Sequence, residues 1–291
     1  MTQSALKLPE WFKKSGGKLK ATRHLSELLQ TEVPNSICQE ARCPNRSECF
    51  AKGVLTFMIL GTTCTRNCGF CSVAHGKPLP PDPNESQTLI KAVDTLNLRF
   101  VVITSPNRDD LPDNGAGHYA KVVRDLKAHR ASLKVEVLIP DFQGKLADLQ
   151  TVISAGPDVL NHNIETVPSL YRRVRKGSLY KRSLEVLQNA KTLAPTLLTK
   201  TGLMVGLGET TEELIATFAD IQAVGVDILT LGQYLKPDKT SLDVLRYYHP
   251  DEFEFLKQKA LAAGIRYVFA GPMVRSSFLA EHVFEELIHV G

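Results

Sequence analysis

The six cysteines of this 291-residue chain fall in two triads, Cys38, Cys43 and Cys49 (C-x4-C-x5-C) and Cys64, Cys68 and Cys71 (C-x3-C-x2-C). Packing cysteines scatter among apolar strands, and disulfide cysteines spread through loops that need staples, whereas these all lie in the first quarter of the chain. Thiolates grouped in this way bind metal, so the spacing predicts two metal centres. Each triad is one ligand short of a closed tetrahedral shell. The fourth position at each centre is therefore open to a substrate, a cofactor or an unusual fourth residue. A structural zinc site is the plainer alternative for the second triad, with His75 supplying its fourth ligand.

The elements that position these residues repeat along the chain. Short apolar runs open into polar loops six times: 54–60 before Gly61-Thr-Thr-Cys64, 100–104 before Ser105-Pro-Asn-Arg-Asp-Asp110, and 135–139 before Pro140-Asp141. The others are 159–164 before Glu165-Thr166, 203–205 before Gly206-Leu-Gly-Glu209, and 228–231 before Gly232-Gln-Tyr. These read as six buried strands. Helical patterns lie between them at 86–97, 119–129, 183–192 and 209–224, the last with Thr210 and Glu213 as a capping box. Alternating strand and helix predicts a parallel sheet covered on both faces, either a barrel or a doubly wound sheet. In each unit the polar residues follow the carboxyl end of the strand, the face on which barrels build active sites. A further apolar stretch, 265–269, leads into Gly271-Pro-Met-Val-Arg-Ser-Ser-Phe278 and a final amphipathic helix over 280–290.

With 43% hydrophobic residues the chain can bury a large core, and its net charge of +4 does not call for nucleic acid. No apolar run approaches the ~18 residues of a spanning helix. The start of the chain is not a secretory leader, and metal-binding thiols need a reducing compartment, so no membrane partner and a cytoplasmic location are expected.

The loop Cys64-Thr-Arg-Asn-Cys68-Gly-Phe-Cys71 after the first strand resembles the cluster loop of the radical S-adenosylmethionine superfamily. The resemblance implies a 4Fe–4S cluster whose open iron takes S-adenosylmethionine and, with one electron, cleaves it to methionine and a 5′-deoxyadenosyl radical. The segment 202–209 is similar to the superfamily's adenine-contacting strand end, and the loop after Thr104 stands where its members hold the methionyl amine. Thr104, Asn107, Glu165, Gly206 and Glu209 are therefore the expected cofactor pocket. By local sequence alone the glycines would simply end a strand before a helix.

The first triad, together with 104–113, 161–168, 202–210, 232–235 and 274–278, resembles the lipoyl synthase family over nearly the whole chain. This implies a partial (β/α)6 parallel barrel over 53–270, with cluster-binding extensions at 1–52 and 271–291. It also implies an auxiliary 4Fe–4S cluster on Cys38, Cys43, Cys49 and Ser277; the usual tyrosine after the serine pair is Phe278 here. Without the resemblance, Ser276 or Ser277 reads as the cap of the final helix. The implied reaction is that of a sulfurtransferase. Two sulfur atoms from a sacrificed cluster enter C6 and C8 of a protein-bound octanoyl-lysine, at the expense of two S-adenosylmethionine molecules, with no catalytic residue beyond the cluster ligands. Its partners would be an octanoylated lipoyl carrier and a small ferredoxin- or flavodoxin-type electron donor. The competing readings are another sulfur-inserting or methylthiolating radical enzyme and a non-catalytic two-zinc module. His162 reads equally as a pocket residue or a satisfied polar residue at a strand end. The basic run 171–176 with 180–182 reads as a solvated helix face, or else as a surface for an acidic carrier or part of the cofactor pocket. Asp109, Asp110 and Asp113 lack the spacing of a calcium loop.

Overall fold

The computed structural model describes residues 6–12, 56–277 and 284. The first cysteine triad and most of the predicted final helix lie outside the described residues. Two compact units are distinguished. One holds 56–65, 73–161, 277 and 284, and the other holds 6–12, 66–72 and 162–276.

In the first unit, strands β1 (Thr56–Met58), β2 (Phe100–Thr104), β3 (Lys134–Leu138) and β4 (Val159–Asn161) are neighbours in chain order and all parallel. The register pairs Phe57 with Ile103, Val102 with Glu136 and Val137 with Leu160. Every residue of β1, β2 and β4 is buried, as expected of strands covered on both faces. Parallel neighbours need long crossovers. These contain helices α1 (Glu85–Thr95), α2 (Ala116–His129) and α3 (Leu146–Ile153). Their apolar stripes bury Leu89 and Val93, Tyr119, Val122, Val123 and Leu126, and Leu149 and Val152.

In the second unit, β5 (Leu198–Val205), β6 (Ile228–Gln233) and β7 (Tyr267–Gly271) are again parallel and adjacent. Helices α4 (Tyr171–Val174), α5 (Tyr180–Leu193), α6 (Thr211–Ala223) and α7 (Pro250–Ala262) belong to it. Its core joins Leu187, Leu203, Leu214, Phe218, Leu229 and Phe253. The expected capping box of α6 is present, with Thr210 Oγ1 accepting from the Glu213 N–H and Glu213 accepting from the Thr210 N–H. No helix among the described residues is long and apolar enough to cross a membrane.

Three boundaries differ from the sequence expectation. β5 begins at Leu198, five residues before the apolar run, because its polar start is satisfied inside the fold: Thr199 Oγ1 donates to Asp227 and Thr201 Oγ1 to the His162 carbonyl. β4 ends at Asn161, and Glu165 at φ 72 forms only an isolated bridge with Leu203. The apolar stretch near 265–269 is β7, so besides two short strands at 63–64 and 74–75 the described residues carry seven parallel strands where six were read.

Candidate functional site

Cys64, Cys68 and Cys71 are half-buried and lie outside any disulfide. The loop that carries them is closed at its base by two short parallel strands, which pair Thr63 with Ala74 and Cys64 with His75, and the Gly76 N–H donates to the Cys64 carbonyl at 3.0 Å. Cys64 belongs to the first unit. Its sulfur accepts from the Asn107 backbone N–H at 3.3 Å, and Asn107 Nδ2 stands 3.9 Å from the same sulfur. Donors aimed at a sulfur tune any cluster it binds.

The loop after β2 holds Asn107 rigidly. Thr65 donates to the Asn107 carbonyl through both its N–H and its hydroxyl, at 3.0 Å each. The buried Arg108 donates to the Leu60 carbonyl at 2.9 Å and forks onto Asp110. Asp113 accepts from the N–H groups of Gly115 and Gly117 at the start of α2. The acidic residues of this loop therefore build its geometry. Thr104 is committed too, donating its hydroxyl to the Leu138 carbonyl at 3.1 Å. Asn107 differs from them, because its Oδ1 is buried with no hydrogen-bond donor among the described residues. A buried acceptor next to Cys64 suits a ligand amine, since leaving such an atom unmatched costs about 1–3 kcal/mol.

In the second unit, Phe70 packs against an apolar cluster of Val174, Leu207 and Tyr234, which Leu242 also joins. Backbone bonds fasten the same loop: the Gly69 N–H donates to the Val174 carbonyl at 2.9 Å, and the Leu242 N–H to the Gly69 carbonyl at 2.8 Å. Leu207 belongs to the turn after β5. Glu209 shapes that turn, accepting from the N–H of Gly206 at 2.5 Å and of Leu207 at 2.9 Å. Gly206 has φ +99, and a Cβ there would stand 2.1 Å from Gln233 Nε2 and 2.5 Å from the Arg246 carbonyl oxygen, so only glycine fits. Gln233 in turn locks the region, donating to the carbonyls of Val205 and Arg246 and accepting from the Tyr248 N–H.

Glu165 bonds along β5, donating its N–H to the Gly202 carbonyl and accepting at its own carbonyl from Met204. This brings it beside the strand that leads to Gly206. Burial pushes the Glu165 carboxyl above its usual value, against the pull of Arg175 and of the Asn163 amide, which donates to it at 3.0 Å. His162 is a buried structural residue whose Nε2 meets Ser183 Oγ at 3.0 Å. The expectation of a solvated basic run holds for Arg172, Arg173 and Lys176, but Arg175 is buried. Sequence reading named Arg175 only within the basic run and gave Asn163 and Gln233 no role, because each is polar in a polar stretch; the motif Gly232-Gln-Tyr was the signal available for Gln233.

Ser277 is half-buried, two residues beyond Arg275, whose guanidinium donates to the Val274 carbonyl at 2.6 Å. Its expected partners Cys38, Cys43 and Cys49 lie outside the described residues. Among the described residues no three His, Cys, Asp or Glu side chains gather closely enough for one ion. A cubane cluster does not need that convergence, because each thiolate binds a different iron.

Residues 58–221 match the model of the radical SAM superfamily. The chain is 47% identical over 281 residues to the lipoyl synthase of Histophilus somni (strain 2336), covering 96% of this chain and 88% of that protein. It is likewise 47% identical over 278 residues to that of Alkaliphilus metalliredigens (strain QYMF), covering 96% of each. Among solved structures, methylornithine synthase superposes with a TM-score of 0.55 at 17% identity, over 87% of this chain and 83% of that one, which is a likeness of fold. With identity at this level along almost its entire length, the chain belongs to the lipoyl synthase family of the radical SAM superfamily.

Proposed function

We propose that Cys64, Cys68 and Cys71 hold the 4Fe–4S cluster that takes S-adenosylmethionine, and that Cys38, Cys43, Cys49 and Ser277 hold a second 4Fe–4S cluster, consumed as the sulfur source. The enzyme converts a protein-bound octanoyl-lysine on a lipoyl carrier into the lipoyl group. The observation that carries this reading is the pairing of two three-cysteine sets in one chain with the orphaned Asn107 Oδ1 beside Cys64. The hydrogens at C6 and C8 of the octanoyl chain lie beyond any side-chain base. When bound, the cluster and cofactor supply a carbon radical strong enough to remove them.

The protein's own part is positioning. Asn107 offers an N–H to the Cys64 sulfur and its side-chain oxygen to the methionyl amine. Gly206, held by Glu209, presents a bare strand end to the adenine, and Glu165 lies beside it for the rest of the nucleoside. Segment 1–52 brings the auxiliary thiolates, 53–270 forms the barrel, and 271–291 brings the serine. An oxygen ligand is harder than thiolate and holds soft iron–sulfur units less firmly, so Ser277 marks the auxiliary cluster's weak point. The electron comes from a small ferredoxin or flavodoxin in the cytoplasm.

Anaerobic reconstitution tests the cluster count: about eight irons per chain are expected, and about four would remove the auxiliary cluster. Ser277→Ala should keep 5′-deoxyadenosine formation on an octanoyl-lysine carrier peptide and lose the dithiolated mass. Undiminished sulfur insertion would reject Ser277 as a ligand.

A further inference from the structure

We propose that residues 173–178 form a docking platform for the Cys68–Cys71 loop, and that Arg175 is a positioning residue in it, holding positive charge against Cys68 so as to ease reduction of the cluster. The proposal rests on the second triad holding that cluster.

The platform meets the loop at three separate places. Arg66 NH1 donates to Ser178 Oγ at 3.0 Å, a bond buried at both ends. The Gly69 N–H donates to the Val174 carbonyl at 2.9 Å. Phe70 packs against the apolar cluster that contains Val174. These fix the residues on either side of Cys68 against the residues on either side of Arg175.

Arg175 itself is 8% exposed and pinned within its own unit. Its NH1 donates to the Asn163 carbonyl at 2.6 Å, to Tyr171 Oη at 2.7 Å and to Ser183 Oγ at 3.0 Å. Ser183 also meets His162, so the anchor extends to that buried ring. Burial works against the guanidinium's charge, and Tyr171 and Glu165 act to hold it. A buried cation is costly unless something compensates it. The neutral groups that pin NH1 satisfy its hydrogens but bring no charge; Glu165 does, and the bond from the Gly69 N–H to the Val174 carbonyl seats the residue after Cys68 against the residue before Arg175. With a cluster on the loop the local negative charge grows, and one more electron is better tolerated beside a fixed cation of low local dielectric.

The test uses reconstituted full-length enzyme without S-adenosylmethionine and reads the cluster's midpoint potential by an EPR-monitored titration. Arg175→Gln should assemble the cluster and shift its reduction equilibrium about tenfold toward the oxidised form, ~59 mV for one electron. Arg175→Lys, which keeps the charge, should recover most of that shift. Should the Gln variant bind no iron, Tyr171→Phe serves instead, since it keeps the charge and loosens one anchor; its midpoint should move the same way by less. A parental midpoint in Arg175→Gln, or in Tyr171→Phe under that condition, overturns the proposal. If the parent enzyme itself takes no cluster on the second triad, the assignment of that triad fails instead.

Discussion

Gly232→Ala offers the sharpest test of how residues 274 and 275 sit against β6. A Cβ on Gly232 would lie 2.0 Å from the Val274 carbonyl oxygen, 3.0 Å from its carbon and 3.2 Å from Arg275 NH1. Non-bonded heavy atoms sit best near roughly 3.5 Å, so the 274 backbone must retreat by on the order of 1 Å. A flexible side chain can swing away from such a contact; a carbonyl in mid-chain takes its neighbours with it. Overpacking of this kind costs about 1–3 kcal/mol, which a domain of this size can survive. The larger consequence falls on Ser277, three residues along, since a displacement near 1 Å can cost ~100-fold in a positioned group's contribution. The assay is anaerobic turnover with an octanoyl-lysine carrier peptide, quantifying 5′-deoxyadenosine and dithiolated product together, with iron content measured alongside. Folded protein with near-parental deoxyadenosine and a lipoyl yield down by about 100-fold is the expected result. Parental lipoyl yield in Gly232→Ala would refute a coupling between residues 274–275, packed on Gly232, and the proposed serine ligand.

Cys68→Ala should abolish 5′-deoxyadenosine formation, and parental release of that product would remove the second triad from its role. Asn107→Leu keeps the backbone N–H toward Cys64 but deletes the buried acceptor, so the cluster should assemble while KM for S-adenosylmethionine rises by about 10-fold or more; an unchanged KM would deny Oδ1 a ligand. Gly206→Ala forces a Cβ to within 2.1 Å of Gln233 Nε2 at φ +99, and should lower both Tm and cofactor affinity, which calorimetry reads directly. Acid stability depends on Asp158. Burial raises its pKa, but Lys127, the Val135 N–H and Lys134 outweigh this and hold the carboxyl below its ordinary value. A lowered folded pKa gives stability that is complete above the unfolded value of about 3.9 and is lost as pH falls through the lower folded value. Asp158→Asn should therefore lower Tm at pH 7 and flatten its fall toward pH 3; an acid limb as steep as the parent's would discount the residue.

Much of the scaffold can be read from short stretches. The continuous apolar run Phe100–Thr104 is a strand because nothing polar interrupts it, and Thr210 with Glu213 marks a helix start because a capping box closes within one turn. Reading failed where satisfaction comes from far along the chain. The polar start of β5, Thr199-Lys-Thr201, does not look like a buried strand until Asp227 and the His162 carbonyl are found beside it. Arg175 and Arg173 are indistinguishable by type and neighbourhood, yet one is buried and the other exposed.

By itself, the sequence grouped three thiols at close spacing, twice over, the pattern of metal-binding loops, because a loop of a few residues needs no distant partner to present them. Only the tertiary structure decided what surrounds those atoms. It put the Asn107 N–H on Cys64 across 43 residues and Ser178 on Arg66 across 112. Such contacts depend on how strands and loops stack, and stacking is the sum of many weak terms that no short window of sequence contains.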